Sequence, residues 1–329
     1  MPVIHHGDRH LSVEDGETAL DALLRGGVVV PNSCRAGACQ SCRLRACAGT
    51  PPAAAQVGLK ATQRERGYFL ACLCRPDEDL TIALGEDLPI DATVIDVTSL
   101  GANVVRLRLG LPPGVALEYR AGQFITLLRA DGLARSYSLA SVPGEDLALE
   151  LHVRVLPQGR MSQWIAHELA PGAVLQLRGP EGDCFYTPNQ PAQPLLLIGT
   201  GTGLAPLIGV ARDALRQGHT GPITLIHGAL TPAGHYLVDV LEDMSRQSPN
   251  FRYLRCALRG DAAPGLELGA IEAVAAAQFP KLGGHRVYIC GDPERVQSLR
   301  KQSFLRGARM NEIFADAFVT APPQAPAGP

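Results

Sequence analysis

Hydrophobic and polar positions follow three successive rhythms along this chain of 329 residues. Near the N-terminus, "PVIHHGDRHLSVED" predicts two short strands about a turn at "HGDR". "TALDALLRGG" predicts a short helix stopped by Gly26 and Gly27. From Asp91 the pattern becomes one of short strands between Gly- and Pro-bearing turns: "ATVIDVTS", "NVVRLRLGL", "GQFITLLRA", "RSYSLASV" and "LALELHVRVL". Even spacing of this kind predicts a sandwich or barrel. After the linker "YTPNQPAQP", apolar strands alternate with helices through "PLLLIGTG", "PITLIHGA", "NFRYLRCAL" and "HRVYICGD", which predicts a parallel doubly wound sheet. The expected organisation is a unit over 1–85, the connector "GEDLP", a β unit over 91–188, an α/β unit over 194–320 and a disordered tail over 321–329.

Composition narrows the function classes. Hydrophobic residues make up 46% and charged ones 19%, as in a globular protein with a proper core. A net charge of −2 gives no reason to expect nucleic acid or an anionic membrane as partner. No apolar run approaches the ~18–20 residues needed to span a bilayer. "MPVIHHGDRHLSVEDG" lacks the apolar stretch of a secretory signal, so a cytoplasmic location is expected. In that compartment the nine cysteines are expected to be ligands, catalytic groups or buried thiols rather than disulfides.

The densest chemistry lies in "NSCRAGACQSCRLRACAG". Cys34, Cys39 and Cys42 have the spacing C-x4-C-x2-C, and Cys72 and Cys74 follow at a distance. Such a set suits a plant-type 2Fe-2S cluster held by four thiolates. Four thiolates also suit structural zinc, although zinc sites usually show two C-x2-C-like pairs. "YFLACLCRPDEDLTIAL" resembles the fourth-cysteine segment of plant-type ferredoxins, and that alignment selects Cys72. The resemblance implies a small β-grasp fold for the first unit. Cys47 is then expected to be a packed thiol. Gln40 stands where the family usually has glycine and is expected to crowd the cluster or change its solvent access. Arg35, Arg43 and Arg45 form a basic face on the loop, expected to meet an acidic acceptor or simply to be solvated.

In the β unit, "RSYSLAS" resembles the flavin motif R-x-Y-S of the ferredoxin–NADP reductase superfamily. Arg135 and Tyr137 share a strand face, so one can grip a phosphate while the other stacks on a flat ring. Ser138 falls on the opposite face of a regular strand, so the strand must end or twist there. "PQGRMSQWIAHEL" carries Gly159 and Ser162 in the family's G-x-x-S pattern, at an expected helix start where pyrophosphate fits; read otherwise, Ser162 is an N-cap. Trp164 is expected in the core. "LRGPEGDCFY" resembles the close of the family's barrel.

In the last unit, Gly199, Gly201 and Gly203 let the backbone approach a pyrophosphate, and Pro206 suits a first helical turn. This is the superfamily's G-x-G-T-G-x-x-P, not the G-x-G-x-x-G fingerprint. "YICGDPERV" ends a strand with Cys290 and Gly291, which the family puts beside the nicotinamide; a buried thiol finishing the strand is the alternative. "NEIFADAFVT" resembles the family's C-terminal segment, with Phe318 set against the flavin.

From Val3 to Thr320 the order of units resembles the reductase components of bacterial ring-hydroxylating oxygenases of the naphthalene dioxygenase type, and also the CDP-6-deoxy-glucoseen reductases. That resemblance implies electron flow from NADH to FAD, then to 2Fe-2S, then to a partner oxygenase, its ferredoxin or a sugar-nucleotide dehydratase. Flavin contacts implied are Arg135, Ser136, Tyr137, Ser138, His152, Val153, Gly159, Arg160, Met161 and Ser162, with Phe318 beside the ring. Nucleotide contacts implied are Thr200, Gly201, Thr202, Gly203, Cys290 and Gly291, with Ser138 and Cys290 nearest the reacting atoms. The G-x-x-S site favours FAD over FMN. The absence of Arg or Lys between His227 and Tyr236 favours NADH over NADPH. Free-flavin reduction and a zinc-bearing or redox-sensing interaction protein stand as rival functions. The wire requires all three redox groups to lie close within one polypeptide.

Overall fold

A computed structural model describes residues 1–59, 61–65, 67–84 and 89–319. Most of the "GEDLP" connector and the tail expected over 321–329 lie outside these residues.

The first unit comprises β1 (Val3–His6), β2 (Arg9–Ser12), α1 (Ala19–Arg25), β3 (Arg43–Ala48), α2 (Ala61–Glu65), β4 (Tyr68–Leu70) and β5 (Leu80–Leu84). Its sheet runs β2-β1-β5-β3-β4, with β1 and β5 parallel and the other pairs antiparallel. Thr18 caps α1 by accepting from the Asp21 amide, a contact of the kind worth ~1 kcal/mol. Gly26 and Gly27 stop the helix, Gly27 in the left-handed region at φ 72°. Ala19, Leu20, Ala22 and Leu23 form the helix stripe that packs into the core with Ile4, Leu44 and Leu80. Cys47, expected to be packed, is exposed: a bulge between Ala46 and Ala48 shifts β3 out of register with β5 at that residue.

The second unit comprises β6 (Ile90–Gly101), β7 (Val104–Gly110), β8 (Phe124–Leu128), β9 (Ala134–Ser138), β10 (Leu149–Arg154), α3 (Arg160–His167) and β11 (Val174–Glu181). The antiparallel order β10-β7-β6-β11-β8-β9 is closed by a bridge between Leu139 and Leu151, making a barrel. Leu107, Ile125, Leu127 and Leu151 fill it. Helix α3 buries Met161 and Ile165 in the same core. Trp164 packs against this core as expected but is half-buried, at its edge beneath the Arg129 guanidinium at 5.9 Å.

The third unit comprises β12 (Leu195–Thr200), α4 (Leu204–Arg216), β13 (Ile223–Ala229), α5 (Val238–Gln247), β14 (Phe251–Ala257), β15 (Leu266–Leu268), α6 (Ile271–Gln278), β16 (Arg286–Gly291), α7 (Pro293–Leu305) and β17 (Ile313–Ala317). All pairs in the order β15-β14-β13-β12-β16-β17 are parallel. Strand β16 is buried throughout, as a central strand covered on both faces must be. The sheet reverses its order between β12 and β16, the kind of crevice where open α/β sheets bind ligands.

Barrel and α/β unit are packed tightly against each other. Arg212 of α4 holds Asp146 at 2.8 Å and Glu145 at 2.7 Å, and Tyr288 donates to the Phe185 carbonyl at 3.1 Å. Gly122 sits at this seam with φ 97°; a Cβ there would strike the Cys184 carbonyl and lie 2.7 Å from Val210. Gly122→Ala is therefore expected to destabilise the protein by ~1–3 kcal/mol through overpacking. Denaturant unfolding monitored by circular dichroism checks this.

Candidate functional site

The cysteine loop bends through three residues of positive φ: Arg35 (51°), Gly37 (77°) and Gln40 (55°). Gln40 accepts a conformation that costs a side-chain-bearing residue ~1–2 kcal/mol. Its amide does not fold over the thiols; it donates to the Gly58 carbonyl at 3.2 Å. A Cβ on Gly37 would come within 2.5 Å of the Leu73 side chain, which would have to move aside.

The thiols lie in two pairs, Cys34 with Cys39 and Cys42 with Cys72. Among the described residues no three His, Cys, Asp or Glu side chains already form a closed metal cage. The donor set nevertheless suits a thiolate-ligated cluster, because backbone amides are aimed at sulfur. Ala36 and Cys39 donate to Cys34 Sγ, and Cys34 donates to Cys39 Sγ, each at 3.4 Å. The Cys34 thiol, then the Cys34 amide and Ser41, hold Cys39 down to about 5. Cys72 is likewise lowered, chiefly by the Cys42 thiol and also by the Gly37 amide. Cys74 differs: it is buried in the core, and desolvation with the charge of Asp77 pushes it up to about 12.

The loop touches the barrel directly. Asn32 bridges Leu133, and its carbonyl accepts from the Ala134 amide at 3.3 Å and the Arg135 guanidinium at 3.4 Å. Arg43 reaches Glu181 of β11 at 3.3 Å, and Arg35 pairs with Asp21 at 2.9 Å. Two of the three arginines expected to face an acceptor are thus matched with acids of this chain.

A cavity of about 1730 Å³ starts at Arg35, Ala38 and Cys39, crosses β9 and ends over the C-terminal ends of β12, β13 and β16. Arg135, Ser136, Tyr137 and Ser138 all line it. Strand β9 ends at Ser138, which frees that residue from strict alternation. Its hydroxyl donates to Asp316 Oδ2 at 3.4 Å, and desolvation raises the Asp316 carboxyl to about 6.

Gly159, Arg160, Met161 and Ser162 line the cavity where α3 begins. Ser162 is not the cap; Gly159 occupies that position. The Ser162 hydroxyl instead accepts from the Leu156 amide and donates to the Gly159 carbonyl, each at 3.1 Å, and so ties the preceding loop to the helix. His152 also lines the cavity, held by Glu150 and Tyr236 at 3.1 Å each. Val153 does not: its side chain is in the barrel core, and Arg154 faces the cavity instead.

At the far end Thr200, Gly201, Thr202, Gly291 and Phe318 are lining residues. Gly201 adopts φ 53°, and its carbonyl meets His227 Nε2 at 3.1 Å. A carbonyl only accepts, so Nε2 carries the proton and Nδ1 accepts from the Tyr253 hydroxyl at 3.3 Å. Desolvation, with His235 adding to it, lowers His227 to about 3, so the ring stays neutral. Gly203 lies behind the cavity wall, where a Cβ would collide with the Cys290 carbonyl. Cys290 is also behind the wall: it is fully buried, 3.4 Å from Cys184 Sγ, and burial raises its thiol. The structure therefore gathers the expected flavin and nucleotide residues about one cavity except Val153, Gly199, Gly203 and Cys290, which lie behind its wall; of the four expected cluster cysteines only Cys39 lines it.

Asp316, Asn32, Arg154 and His227 were missed in the sequence. Asp316 was reachable, because it alternates with Phe314 and Phe318 along the last strand. The others carry no local signal.

The fold and site define an iron–sulfur flavoprotein oxidoreductase of the ferredoxin-reductase type. Residues 3–77 match the 2Fe-2S iron-sulfur cluster binding domain, 91–186 the oxidoreductase FAD-binding domain and 197–301 the oxidoreductase NAD-binding domain. The chain is 33% identical to the reductase subunit of an aromatic O-demethylase from Amycolatopsis sp., over 96% of this chain and 98% of that one. It is 32% identical to the reductase component of naphthalene 1,2-dioxygenase/salicylate 5-hydroxylase systems from Ralstonia sp., covering 94% and 95%. A CDP-6-deoxy-L-threo-D-glycero-4-hexulose-3-dehydrase reductase of Yersinia pestis is 27% identical, covering 95% and 97%. Among solved structures, an Amycolatopsis cytochrome P450 reductase superposes with a TM-score of 0.70 at 32% identity, over 97% and 99% of the two chains. The chain belongs to this family of ferredoxin-fused, FAD- and NAD-binding reductases. No helix among the described residues is long and apolar enough to cross a membrane.

Cys72→Ser is expected to lose the cluster and Cys74→Ser to keep it, read as iron content of the purified proteins. Ionisation of Asp316 should give the pH profile of NADH oxidation an inflection near 6, with the carboxyl neutral below and charged above. Asp316→Asn should remove it, which steady-state rates from pH 5 to 8 test.

Proposed function

We propose that this chain draws electrons from NADH and delivers them through its iron–sulfur unit to a separate protein acceptor, an oxygenase or that oxygenase's ferredoxin. The observation that carries the reading is the seat of the cysteine loop on the flavin strand: Cys39 lines the same cavity as Arg135, Tyr137 and Ser138. FAD accepts electrons as a pair and releases them singly, while the cluster carries one at a time.

The chain's own residues bind, orient and shield. Arg135 meets phosphate, Tyr137 packs against the ring system, and the first turn of α3 offers amides to pyrophosphate. Ser138 and Asp316 hold a hydroxyl and a titratable carboxyl at the reacting end. Thr200, Gly201 and Thr202 receive the NADH pyrophosphate, with His227 fixing the Gly201 carbonyl. Gly203 and Cys290 set the floor beneath the nicotinamide, and Phe318 covers the flavin side. Cys34, Cys39, Cys42 and Cys72 ligate the cluster. Preference for NADH is supported by the wall at the end of β13 and just beyond it, where Gly228, Ala229, Leu230, Thr231, Ala233 and Gly234 offer no cation. The roles of the relatives support an oxygenase system as customer, and the dehydrase reductase keeps a sugar-nucleotide enzyme as second reading.

Anaerobic titration with NADH, followed by optical and paramagnetic-resonance spectra, tests the electron order. Flavin bleaching followed by a reduced-cluster signal is the expected result; bleaching with no cluster signal overturns it. In Cys72→Ser, ferricyanide reduction should persist while reduction of a protein acceptor falls at least tenfold. An unchanged protein-acceptor rate would favour free-flavin reduction.

A further inference from the structure

Among the described residues, the nucleotide end of the cavity contains a buried carboxylate oxygen with no hydrogen-bond partner. Glu272 stands in the first turn of α6, its side chain only 9% exposed. Oε1 accepts from Arg295 Nη1 at 3.0 Å, whereas Oε2 is buried without a hydrogen-bond partner. Both residues line the cavity. Their place in it follows from packing. Ile271, next to Glu272, fills the space over Gly228, where a Cβ would lie 2.7 Å from its methyl group. Gly269 donates to the Ala257 carbonyl at 2.8 Å, so the start of α6 is pinned over the ends of β13 and β14. Glu272 therefore faces the stretch from Gly228 to Gly234 that reads as the adenosine side of the nucleotide.

A buried acceptor left unpaired is costly, and a carboxylate can be satisfied only by a donor. Ribose hydroxyls are donors, and acidic side chains commonly bind them in dinucleotide sites. A 2′-phosphate brings like charge to the same place, and Arg295, a cation lining the cavity beside it, is already held by Glu272. We infer that Glu272 is a specificity-determining residue: its free oxygen accepts from a ribose hydroxyl, and its charge and its hold on Arg295 exclude a 2′-phosphate. This rests on the reading of the cavity as an NADH site.

The test compares the full-length holoprotein with Glu272→Gln, which removes the charge at constant shape. The ratio of kcat/KM for NADH to that for NADPH should fall at least tenfold, mainly through a lower KM for NADPH. Calorimetry with ADP-ribose and 2′-phospho-ADP-ribose should show the same shift without turnover. Adding Arg295→Ala should abolish the gain, because the released guanidinium supplies the phosphate contact. Glu272→Thr should move the ratio in the same direction. If wild type binds ADP-ribose but both Glu272 variants keep its ratio, the inference alone is overturned. If the double variant retains the gain, Arg295 has no part and the inference is overturned in that respect. If wild type binds no ADP-ribose, the reading of the cavity falls and the inference with it.

Discussion

Electron tunnelling decays steeply with distance, and in this protein one carbonyl group joins the cysteine loop to the barrel. Asn32 O receives the Ala134 amide and the Arg135 guanidinium, so the segment leading into Cys34 is hydrogen-bonded to the strand carrying the flavin motif. Arg43 and Glu181 add a second tie on the other side of the loop. Both side chains of that pair are largely buried, so the cost of desolvating them offsets much of their attraction and the pair fixes position more than it adds stability. The backbone bridge supplies geometry: it puts Cys39 at the mouth of the barrel's cavity rather than on the far face of its own unit.

Around that seat the protein manages charge by burial. Cys39 and Cys72 are held toward the thiolate by sulfur and amide donors, as cluster ligation requires, while Cys74 and Cys290, buried among apolar groups, are pushed the other way. The same cause keeps His227 neutral and fixes its donor on Gly201, and it raises Asp316 into a range where its carboxyl titrates near neutral pH. Nearly identical chemistry, two thiols separated by one residue at 72 and 74, thus acquires opposite character from position alone.

The glycines of the α/β unit show why a motif and its role need not coincide. In the G-T-G turn, Gly201 exposes backbone to the cavity, whereas Gly203 is required by the Cys290 carbonyl pressed against it. Ser162 fits its motif too, yet it acts by lacing Leu156 and Gly159 together rather than by capping α3. In each case the residue type was legible, and its partner was not.

Much of the architecture was written locally. Periodicities of two and of 3.6, glycine stops and cysteine spacing are properties of a few consecutive residues, so the three units, the cluster loop, the "RSYS" strand and the G-T-G turn could be read directly from the chain. Cys47 at a bulge, Trp164 at the edge of its core, the side-chain role of Val153 and the neutralised arginines could not, because each depends on a neighbour distant in sequence. Asn32 meets Arg135 across 103 positions, Ser138 meets Asp316 across 178 and Cys184 meets Cys290 across 106. Short-range pattern determined which groups this protein carries. Long-range packing decided which of them face one another, because hydrogen bonds and desolvation act over a few ångströms of space, whatever the separation along the chain.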